Sequence, residues 1–402
     1  MYCVKQITPD LYYVGASDHR QPLFEAAHPI PDGVSYNNYV LVDEKTVLMD
    51  TADRAVSEVF FENVARALDG RALDYIVVQH MEPDHSASLA RALRLYPDAQ
   101  VVCTAKALTM IGQFTGLDIA GRARVVKEGD TLETGRHTLK FMLAPMVHWP
   151  EVMVTYDMTD HTLFSADAFG HFGALDGALF ADEVDFIRDY LDEARRYYAN
   201  IVGKYGAPVQ GLLKKAAALQ IDRICPLHGF LWRRDFDKII EKYDLWSRYQ
   251  PEVQGVLIAC ASVYGNTMNA ASIVAAGLRD QGVPCALYDV SATDPSYILA
   301  EAFKYSHLLL ASPTYNNGVF VKMENLLHDV AAHTLANRTV FMIQNGSWAP
   351  TAAAGMKAIL EGLKGFTFAE PVLTLKSALS AGQAAEVDAF VNAIVESAGG
   401  KA

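Results

Sequence analysis

The sequence predicts an α/β protein with two domains, the second built on a doubly wound, mostly parallel sheet. Three observations predict this fold class. The chain has 402 residues, a length that suggests two or three domains. Pro251 precedes an apolar strand and divides the chain into residues 1–250 and 251–402, because proline disfavours helix at and before its position. After this point apolar strands alternate with helical patterns, whereas before it the strands come in clusters.

The first domain mixes predicted strands with helices. A helix around 56–68 presents Val56, Phe60, Val64 and Leu68 at four-residue spacing, which makes one buried stripe. The mixture predicts layered α and β structure around one large core. Apolar runs predict strands at 38–43, 46–50, 75–79, 138–143 and 152–156.

The second domain repeats a strand-then-helix unit over about 150 residues. Helical patterns at 268–278 and 321–335 follow two of its strands, and this alternation predicts parallel strands with helical crossovers. The predicted strands lie at 255–260, 285–290, 307–311, 339–343 and 372–376.

Composition excludes several classes of protein. The chain has 34 Lys+Arg against 47 Asp+Glu, a net charge of −13, which disfavours nucleic-acid and anionic-membrane surfaces. We find no signal peptide at the N-terminus and no apolar run of ~18 residues. The five cysteines are scattered without a C-x-x-C pair, which argues against a disulfide framework, a zinc ribbon or a rubredoxin module. We expect a soluble cytoplasmic protein with reduced, structural cysteines.

Metal-competent side chains gather where predicted strands end. The strand 75–79 runs into His80-Met-Glu82-Pro-Asp84-His85, and alternate residues can converge on one side if this loop is extended. Such a run of charged and imidazole groups is difficult to keep as core packing. Seven ligands suit two ions better than one, and Asp167 is placed to bridge them. The seven candidates are His80, Glu82, Asp84, His85, His148, Asp167 and His228.

Three polar loops follow strands of the second domain. The loop 262–267 precedes a helix and offers backbone N–H groups and hydroxyls to an anion. It lacks both G-x-G-x-x-G and the lysine of a P-loop, so a phosphate bound without a cation fits FMN. The three loops would surround the topological switch point of the sheet, with Tyr315 and Trp348 covering the flavin ring. Predicted contacts are Ser262, Val263, Tyr264, Gly265, Asn266, Thr267, Ser312, Pro313, Thr314, Tyr315, Asn316, Asn317, Gly318, Asn345, Gly346, Ser347 and Trp348.

The pattern H-x-E-x-D-H, followed by His, Asp and His, resembles the metallo-β-lactamase superfamily, whose hydrolases carry H-x-H-x-D-H. Glu82 replaces the second histidine, and in this the chain resembles the diiron branch, the flavodiiron proteins. A carboxylate is a harder, anionic ligand and favours redox-active iron over zinc. The later loops resemble flavodoxin, although residues 345–348 depart from the commoner Gly-Ser-x-Gly-Trp form. The implied fold is a metallo-β-lactamase-like αββα sandwich followed by a flavodoxin-like sheet.

The resemblance also implies roles for the residues. His80, Glu82 and His148 would hold one iron, and Asp84, His85 and His228 the other, with Asp167 bridging. In some family members the residue equivalent to His85 turns away from the metal. Tyr198 is a candidate hydrogen-bond donor near the irons, although core packing is the simpler interpretation of this side chain.

The implied activity is reduction of dioxygen to water, of nitric oxide to nitrous oxide, or of both. No nicotinamide fingerprint is present, so electrons would come from rubredoxin or a similar donor. A head-to-tail homodimer, or a pair of such dimers, would bring each flavin to its partner's irons, because a domain of ~250 residues has a radius of gyration of ~18 Å.

Two alternatives remain open at this point. One is a zinc hydrolase of the metallo-β-lactamase type fused to a flavodoxin-like binding module. The other is an electron carrier in which only the flavin is functional. Metal analysis separates the first from a diiron enzyme, and substitution of His80 or Asp167 separates the second.

Overall fold

The computed structural model describes residues 3–399. The chain divides into two compact units. The first comprises the residues up to Tyr197 together with Ala207–Tyr243, and the second comprises Tyr198–Gly206 together with the chain from Asp244 onward. The second unit therefore also includes two short segments, Tyr198–Gly206 and residues 244–250, that lie before the boundary predicted at residue 250.

The first unit contains two large sheets and two small two-stranded sheets. Strands β1–β11 are Lys5–Gln6, Leu11–Tyr13, Ala16–Asp18, Leu23–Phe24, His28–Pro29, Val34–Tyr36, Tyr39–Val42, Thr46–Met49, Tyr75–Val78, Gln100–Cys103 and Ala123–Val125. Strands β12–β16 are Thr131–Glu133, Thr138–Leu143, Met153–Asp157, Thr162–Phe164 and Arg223–Cys225. One large sheet has the order β1-β2-β7-β8-β9-β10-β11, and the other runs β12 to β16 in sequence order. The two small sheets are β3-β6 and β4-β5.

The core of the first unit lies between these sheets. Val47, Val77 and Val102 of the first sheet share one buried cluster with Phe141 and Phe164 of the second. Alternate side chains of each strand face this layer, as expected when two sheets pack face to face.

The second unit is a parallel sheet. Strands β17–β23 are Val253–Cys260, Cys285–Asp289, Tyr305–Tyr315, Gly318–Val319, Thr339–Asn345, Thr367–Phe368 and Leu373–Leu375. The order is β18-β17-β19-β21, with β22 and β23 both pairing with β21, and β20 forms an antiparallel hairpin with β19. This order is that of flavodoxin-like sheets. The predicted fold class is therefore confirmed for both parts of the chain.

The helices follow the predicted pattern where it was strong. The stripe expected around 56–68 lies on α1, where Phe60, Val64 and Leu68 are buried. Helices α1–α7 are Ser57–Leu68, Pro83–Ser86, Leu89–Leu95, Ala105–Thr115, Phe186–Asp189, Leu191–Tyr197 and Gly206–Ala216. Helices α8–α13 are Asp237–Ser247, Asn266–Asp280, Pro295–Lys304, Val321–Ala332, Ala352–Leu360 and Ala384–Ser397. Within residues 3–399, no helix has the length and apolar character needed to cross a bilayer.

Candidate metal centre and flavin cradle

Four predicted ligands from three strand ends form a first group in the first unit: His80, Glu82, His148 and Asp167. Glu82 Oε2 lies 3.2 Å from His80 Nε2 and 3.0 Å from His148 Nε2. Asp167 Oδ2 is 3.1 Å from His148 Nε2. All four residues are buried, so these donor atoms converge away from bulk water. We refer to this group as the first subsite.

The remaining three predicted ligands form a second group, the second subsite, made of Asp84, His85 and His228. Asp84 Oδ2 lies 3.3 Å from His85 Nε2 and 3.2 Å from His228 Nε2. The two imidazole nitrogens are themselves 3.0 Å apart. His85 therefore turns toward the cluster in this chain.

Asp167 joins the two subsites through its two oxygens. Its Oδ2 faces the first subsite, 3.5 Å from His80 Nε2, while its Oδ1 lies 3.1 Å from His85 Nε2 in the second. A carboxylate with one oxygen toward each group has the geometry required of a bridging ligand.

The loop after β9 is not extended throughout, which corrects the expectation that residues 80, 82 and 84 converge together. Residue 82 is extended, with φ −57° and ψ 139°, and the helix Pro83–Ser86 begins directly after it. Pro83 occupies the first helical position, where its missing N–H costs nothing. This helical turn carries Asp84 and His85 into the second subsite.

Buried neighbours hold the ligand-bearing segments in place. The Asp50 carboxylate accepts hydrogen bonds from the backbone N–H groups of Gln79 and His80 at 2.7 and 3.3 Å. Burial raises the pKa of Asp50 to about 6. On the far side of the cluster, Asn37 donates to the carbonyls of Pro226 and Gly229, on either side of His228. The sequence analysis missed Asp50, the last residue of the predicted strand 46–50, and Asn37, which directly precedes the predicted strand 38–43.

The donor atoms fit bound cations. His228 Nδ1 donates to Ser35 O at 2.7 Å, so the lone pair of its Nε2 points at the cluster. Both carboxylate oxygens of Asp84 and Oδ1 of Asp167 are buried without a hydrogen-bond partner among the described residues. Lone pairs and carboxylates this close together require a positive charge between them, and imidazole with carboxylate is a donor set that iron accepts.

The pKa values of the cluster residues reflect the same excess of negative charge from the carboxylates. Burial lowers the pKa of His80, but the nearby carboxylates, above all Asp167, raise it well above its usual range. Burial raises the pKa of Glu82, but hydrogen bonds from His148 and His80 hold it well below its usual range. In the absence of metal the imidazoles must supply the positive charge that the carboxylates require.

The tyrosine pair at 197–198 differs from the sequence expectation. Tyr198 packs against Trp246 and Phe303 in the second unit, so the core-packing interpretation is the correct one for this residue. Tyr197 instead lies beside His228, with ring centroids 5.6 Å apart. Its hydroxyl is buried without a hydrogen-bond partner in the described chain, and the charge of Asp167 contributes, after burial, to a raised pKa. The sequence contains no signal that indicates which of the two adjacent tyrosines lies near the metal cluster.

In a third cluster of histidine and aspartate residues, the charged groups pair with one another and with an arginine. His137 Nδ1 lies 2.7 Å from Asp157 Oδ2, and its Nε2 lies 3.1 Å from Asp10 Oδ2. Arg136 bonds both Asp10 and Asp160. Because Arg136 already pairs with Asp10 and Asp160, and His137 pairs with Asp157, we assign the cluster as a structural ion-pair network rather than a metal site.

A cavity of 680 Å³ lies at the carboxyl ends of the parallel strands of the second unit, a volume typical of ligand pockets. Gly265, at φ +91°, precedes α9, and no side chain caps this helix N-terminus. The Ser262 hydroxyl accepts a hydrogen bond from Gly265 N at 3.0 Å. These features leave backbone N–H groups of α9 available to an anion. The fit to a flavin phosphate is therefore good.

Most of the predicted flavin contacts line this cavity, but not all of them do. Ser312 is fully buried, and its hydroxyl is used by Pro313 O and Phe320 N. Gly265, Tyr315 and Gly318 also lie outside the lining. The lining residues are Ser262, Val263, Tyr264, Asn266, Thr267, Pro313, Thr314, Asn316, Asn317, Asn345, Gly346, Ser347, Trp348, Ala349 and Ser377. Ser377 was missed, although it directly follows the predicted strand 372–376.

Aromatic side chains at the rim are unusually exposed. Tyr264 is 93% and Trp348 89% exposed. Large aromatic surface in this position indicates that a ligand or another surface covers it.

Comparison with known proteins agrees with this geometry. Residues 34–229 match the family model described as ODP family beta lactamase. A nitric oxide reductase of Moorella thermoacetica is 32% identical over 374 residues, covering 92% of each chain. An anaerobic nitric oxide reductase flavorubredoxin of Vibrio vulnificus is 33% identical over 329 residues. That alignment covers 80% of this chain but only 65% of the flavorubredoxin.

Solved structures extend the comparison to both units. The flavodiiron protein of Giardia intestinalis matches with a TM-score of 0.92 and 28% identity, covering 99% of this chain and 97% of that one. Rubredoxin oxygen:oxidoreductase of Desulfovibrio gigas matches with a TM-score of 0.92 and 25% identity, covering 98% of each chain. On the strength of these matches and of the donor set at the cluster, the chain belongs to the flavodiiron protein family.

Proposed function

We propose that this protein is a flavodiiron oxidoreductase that reduces dioxygen to water, nitric oxide to nitrous oxide, or both. The observation that carries the proposal is the position of Glu82, whose carboxylate lies between His80 and His148 at 3.2 and 3.0 Å. An anionic oxygen donor there favours iron over the zinc of a hydrolase. The names of the Moorella and Desulfovibrio relatives support a reductase of these gases.

The seven residues of the two subsites would hold two irons, with Asp167 between them. When bound, the irons supply electrons and open coordination positions for a diatomic gas, and FMN supplies further electrons. The residues position these groups and exclude water: six of the seven are buried, and the Asp84 side chain is 12% exposed. The Tyr197 hydroxyl, which has no partner in the described chain, would donate a hydrogen bond to the reacting gas.

The cavity of the second unit would hold FMN. The N-terminus of α9 and the Ser262–Thr267 loop would bind its phosphate, as Asn266 and Thr267 both line the cavity. The exposed rings of Tyr264 and Trp348 would cover its isoalloxazine ring.

The proposal extends to partners and compartment. Rubredoxin or a similar one-electron protein would reduce the flavin, as the name of the Desulfovibrio protein, rubredoxin oxygen:oxidoreductase, suggests for that protein. A head-to-tail homodimer would bring the flavin of one chain to the irons of another, and analytical ultracentrifugation with turnover measured on dilution tests it. A cytoplasmic location is consistent with five free cysteines.

Anaerobic stopped-flow spectroscopy tests the activity directly. The protein is reduced completely and then mixed separately with dioxygen and with nitric oxide. We expect rapid reoxidation of flavin by at least one of the gases, with two irons and one FMN per chain by analysis. Two zinc ions per chain with hydrolysis of lactams or thioesters, and no gas reduction, would contradict the proposal.

A further inference from the structure

The two subsites differ in the hydrogen-bond partners of the Nδ1 atoms of their histidines. His80 Nδ1 lies 2.8 Å from Glu151 Oε1, so a carboxylate supports this ring. His228 Nδ1 instead donates to the neutral carbonyl of Ser35 at 2.7 Å. His85 Nδ1 has no hydrogen-bond partner within residues 3–399. One ring of the first subsite therefore has an anionic support that the second subsite lacks.

Glu151 is held firmly in this position. Its Oε1 also accepts the backbone N–H of Met81 at 2.8 Å, and its backbone carbonyl accepts the Thr104 hydroxyl at 3.1 Å. The residue is only 2% exposed, and its second oxygen, Oε2, has no hydrogen-bond partner in the described chain. The negative charge of the Glu151 carboxylate is therefore buried beside His80, and few hydrogen-bond donors stabilise it.

A carboxylate behind a histidine ligand has two physical effects. It fixes the hydrogen on Nδ1, so that Nε2 presents its lone pair to the metal, and it makes the ring a stronger donor. In a buried site both effects are weakly screened. A stronger donor binds its cation more tightly and stabilises the more oxidised state of a redox-active ion.

We propose that Glu151 is a positioning residue that makes the two subsites unequal, strengthening metal binding at the first subsite through His80. This inference rests on the metal centre of the proposed function. Through the same hydrogen bond, Glu151 lowers the reduction potential of the iron that His80 holds.

The variant Glu151→Gln separates charge from shape. The glutamine amide oxygen accepts the same hydrogen bonds from Met81 N and His80 Nδ1, so orientation is kept while the charge is lost. The full-length protein is loaded anaerobically with ferrous iron and challenged with increasing concentrations of a ferrous chelator. We expect one of the two irons of the variant to be released at about 10–100-fold lower chelator concentration, and the other to be released as in the unsubstituted protein.

A redox titration followed by electron paramagnetic resonance provides the second measurement. We expect a more positive potential for one iron of Glu151→Gln and an unchanged potential for the flavin. Glu58→Gln is the matched control, because Glu58 is an exposed partner of Arg91 in the same unit. The control should behave like the unsubstituted protein in both measurements.

Three outcomes would overturn the inference. One is a Glu151→Gln variant indistinguishable from the control, and another is equal weakening of both irons, since that indicates a merely structural role. The third is failure of the unsubstituted protein to bind iron, which contradicts the proposed function itself and is recognised before any variant is compared.

Discussion

The metal cluster and the flavin cradle are built from different kinds of chemical group. The cluster uses buried, charged side chains from the ends of four strands and the loops that follow them. The cradle uses loops at the edge of one parallel sheet, with small polar side chains and an uncapped helix N-terminus. In the cluster each metal ion would need particular donor side chains, whereas in the cradle the backbone would do much of the binding.

This difference determines which site tolerates substitution. A metal ligand has a defined donor atom, and its loss leaves a buried charge without a partner. A backbone N–H is supplied by nearly every residue, so many side chains around the cradle are interchangeable. We therefore expect substitutions in the cluster to have all-or-none effects and those in the cradle to have graded effects.

Asp167→Ala should produce the largest effect, because this carboxylate contacts both subsites. Loss of an outer partner of a metal ligand already costs about 10–100-fold in affinity or activity, so loss of a bridging ligand should cost more. We expect iron content and gas reduction to be lost while FMN is retained, measured by a colorimetric iron assay, gas consumption and flavin absorbance.

The same substitution distinguishes the diiron enzyme from a simple electron carrier. Gas reduction that survives Asp167→Ala at full rate would show that the flavin acts alone. Met158→Ala, at an exposed position in the same unit, serves as the control for handling and folding.

Tyr197→Phe should reduce turnover without loss of metal. The substitution removes a buried hydroxyl that has no hydrogen-bond partner in the described chain, so stability should hold or rise. Removal of one aimed donor in an active site costs about 100-fold in rate. The measurement is kcat for each gas with iron content and thermal unfolding as companions. Tyr198→Phe, in the neighbouring position, is the matched comparison and should leave kcat unchanged.

The sequence predicted the metal cluster more completely than the cradle, for the same physical reason. A run such as His80-x-Glu82-x-Asp84-His85 is typical of metal binding. His148, Asp167 and His228 are predicted as further ligands because each follows the end of a strand. The structure brings all seven side chains together. It also has the predicted strands and the α1 stripe, because periodicity reports burial directly.

What the sequence did not predict depends on local backbone geometry. Ser312 points inward and bonds Phe320 N, although its neighbours Pro313 and Thr314 line the cavity. Tyr197 ends α6 and Tyr198 begins a π-helical turn, Tyr198–Val202, and the two side chains lie in different environments. Neither detail has a compositional signal, because adjacent side chains point to opposite faces of a strand and about 100° apart on a helix. The backbone register therefore decides which of two neighbours faces the site.

Trp348→Ala tests the graded behaviour of the cradle. The ring is 89% exposed, so its removal should not affect folding, and stacking of aromatic rings contributes ~0.5–1.5 kcal/mol. We expect the Kd for FMN to rise about two- to tenfold, measured by fluorescence titration of the flavin-free protein, with iron content unchanged. Complete loss of flavin would contradict the comparison, because it would make one side chain of the cradle as indispensable as a metal ligand.

We expect the smallest effect, a change in stability, from substitution in the His137 network. This network contains the residue types of the metal cluster, but its charged groups pair with one another. Burial lowers the pKa of His137, but hydrogen bonds to Asp157 and Asp10 outweigh it and raise the pKa. A raised pKa stabilises the fold fully below the unfolded value of about 6.5, and this stabilisation is lost as pH rises through the folded value.

His137→Gln should therefore cost most at low pH. We expect a loss of about 1–3 kcal/mol in the free energy of unfolding at pH 6, since a buried carboxylate loses its charged partner. The difference from the unsubstituted protein should shrink toward pH 9, as measured by urea unfolding of metal-free protein at each pH. A difference that grows with pH would mean that the neutral ring is the stabilising form. A difference that appears only with added metal would mean that these residues bind an ion after all, and the contrast between open and self-satisfied clusters would then fail.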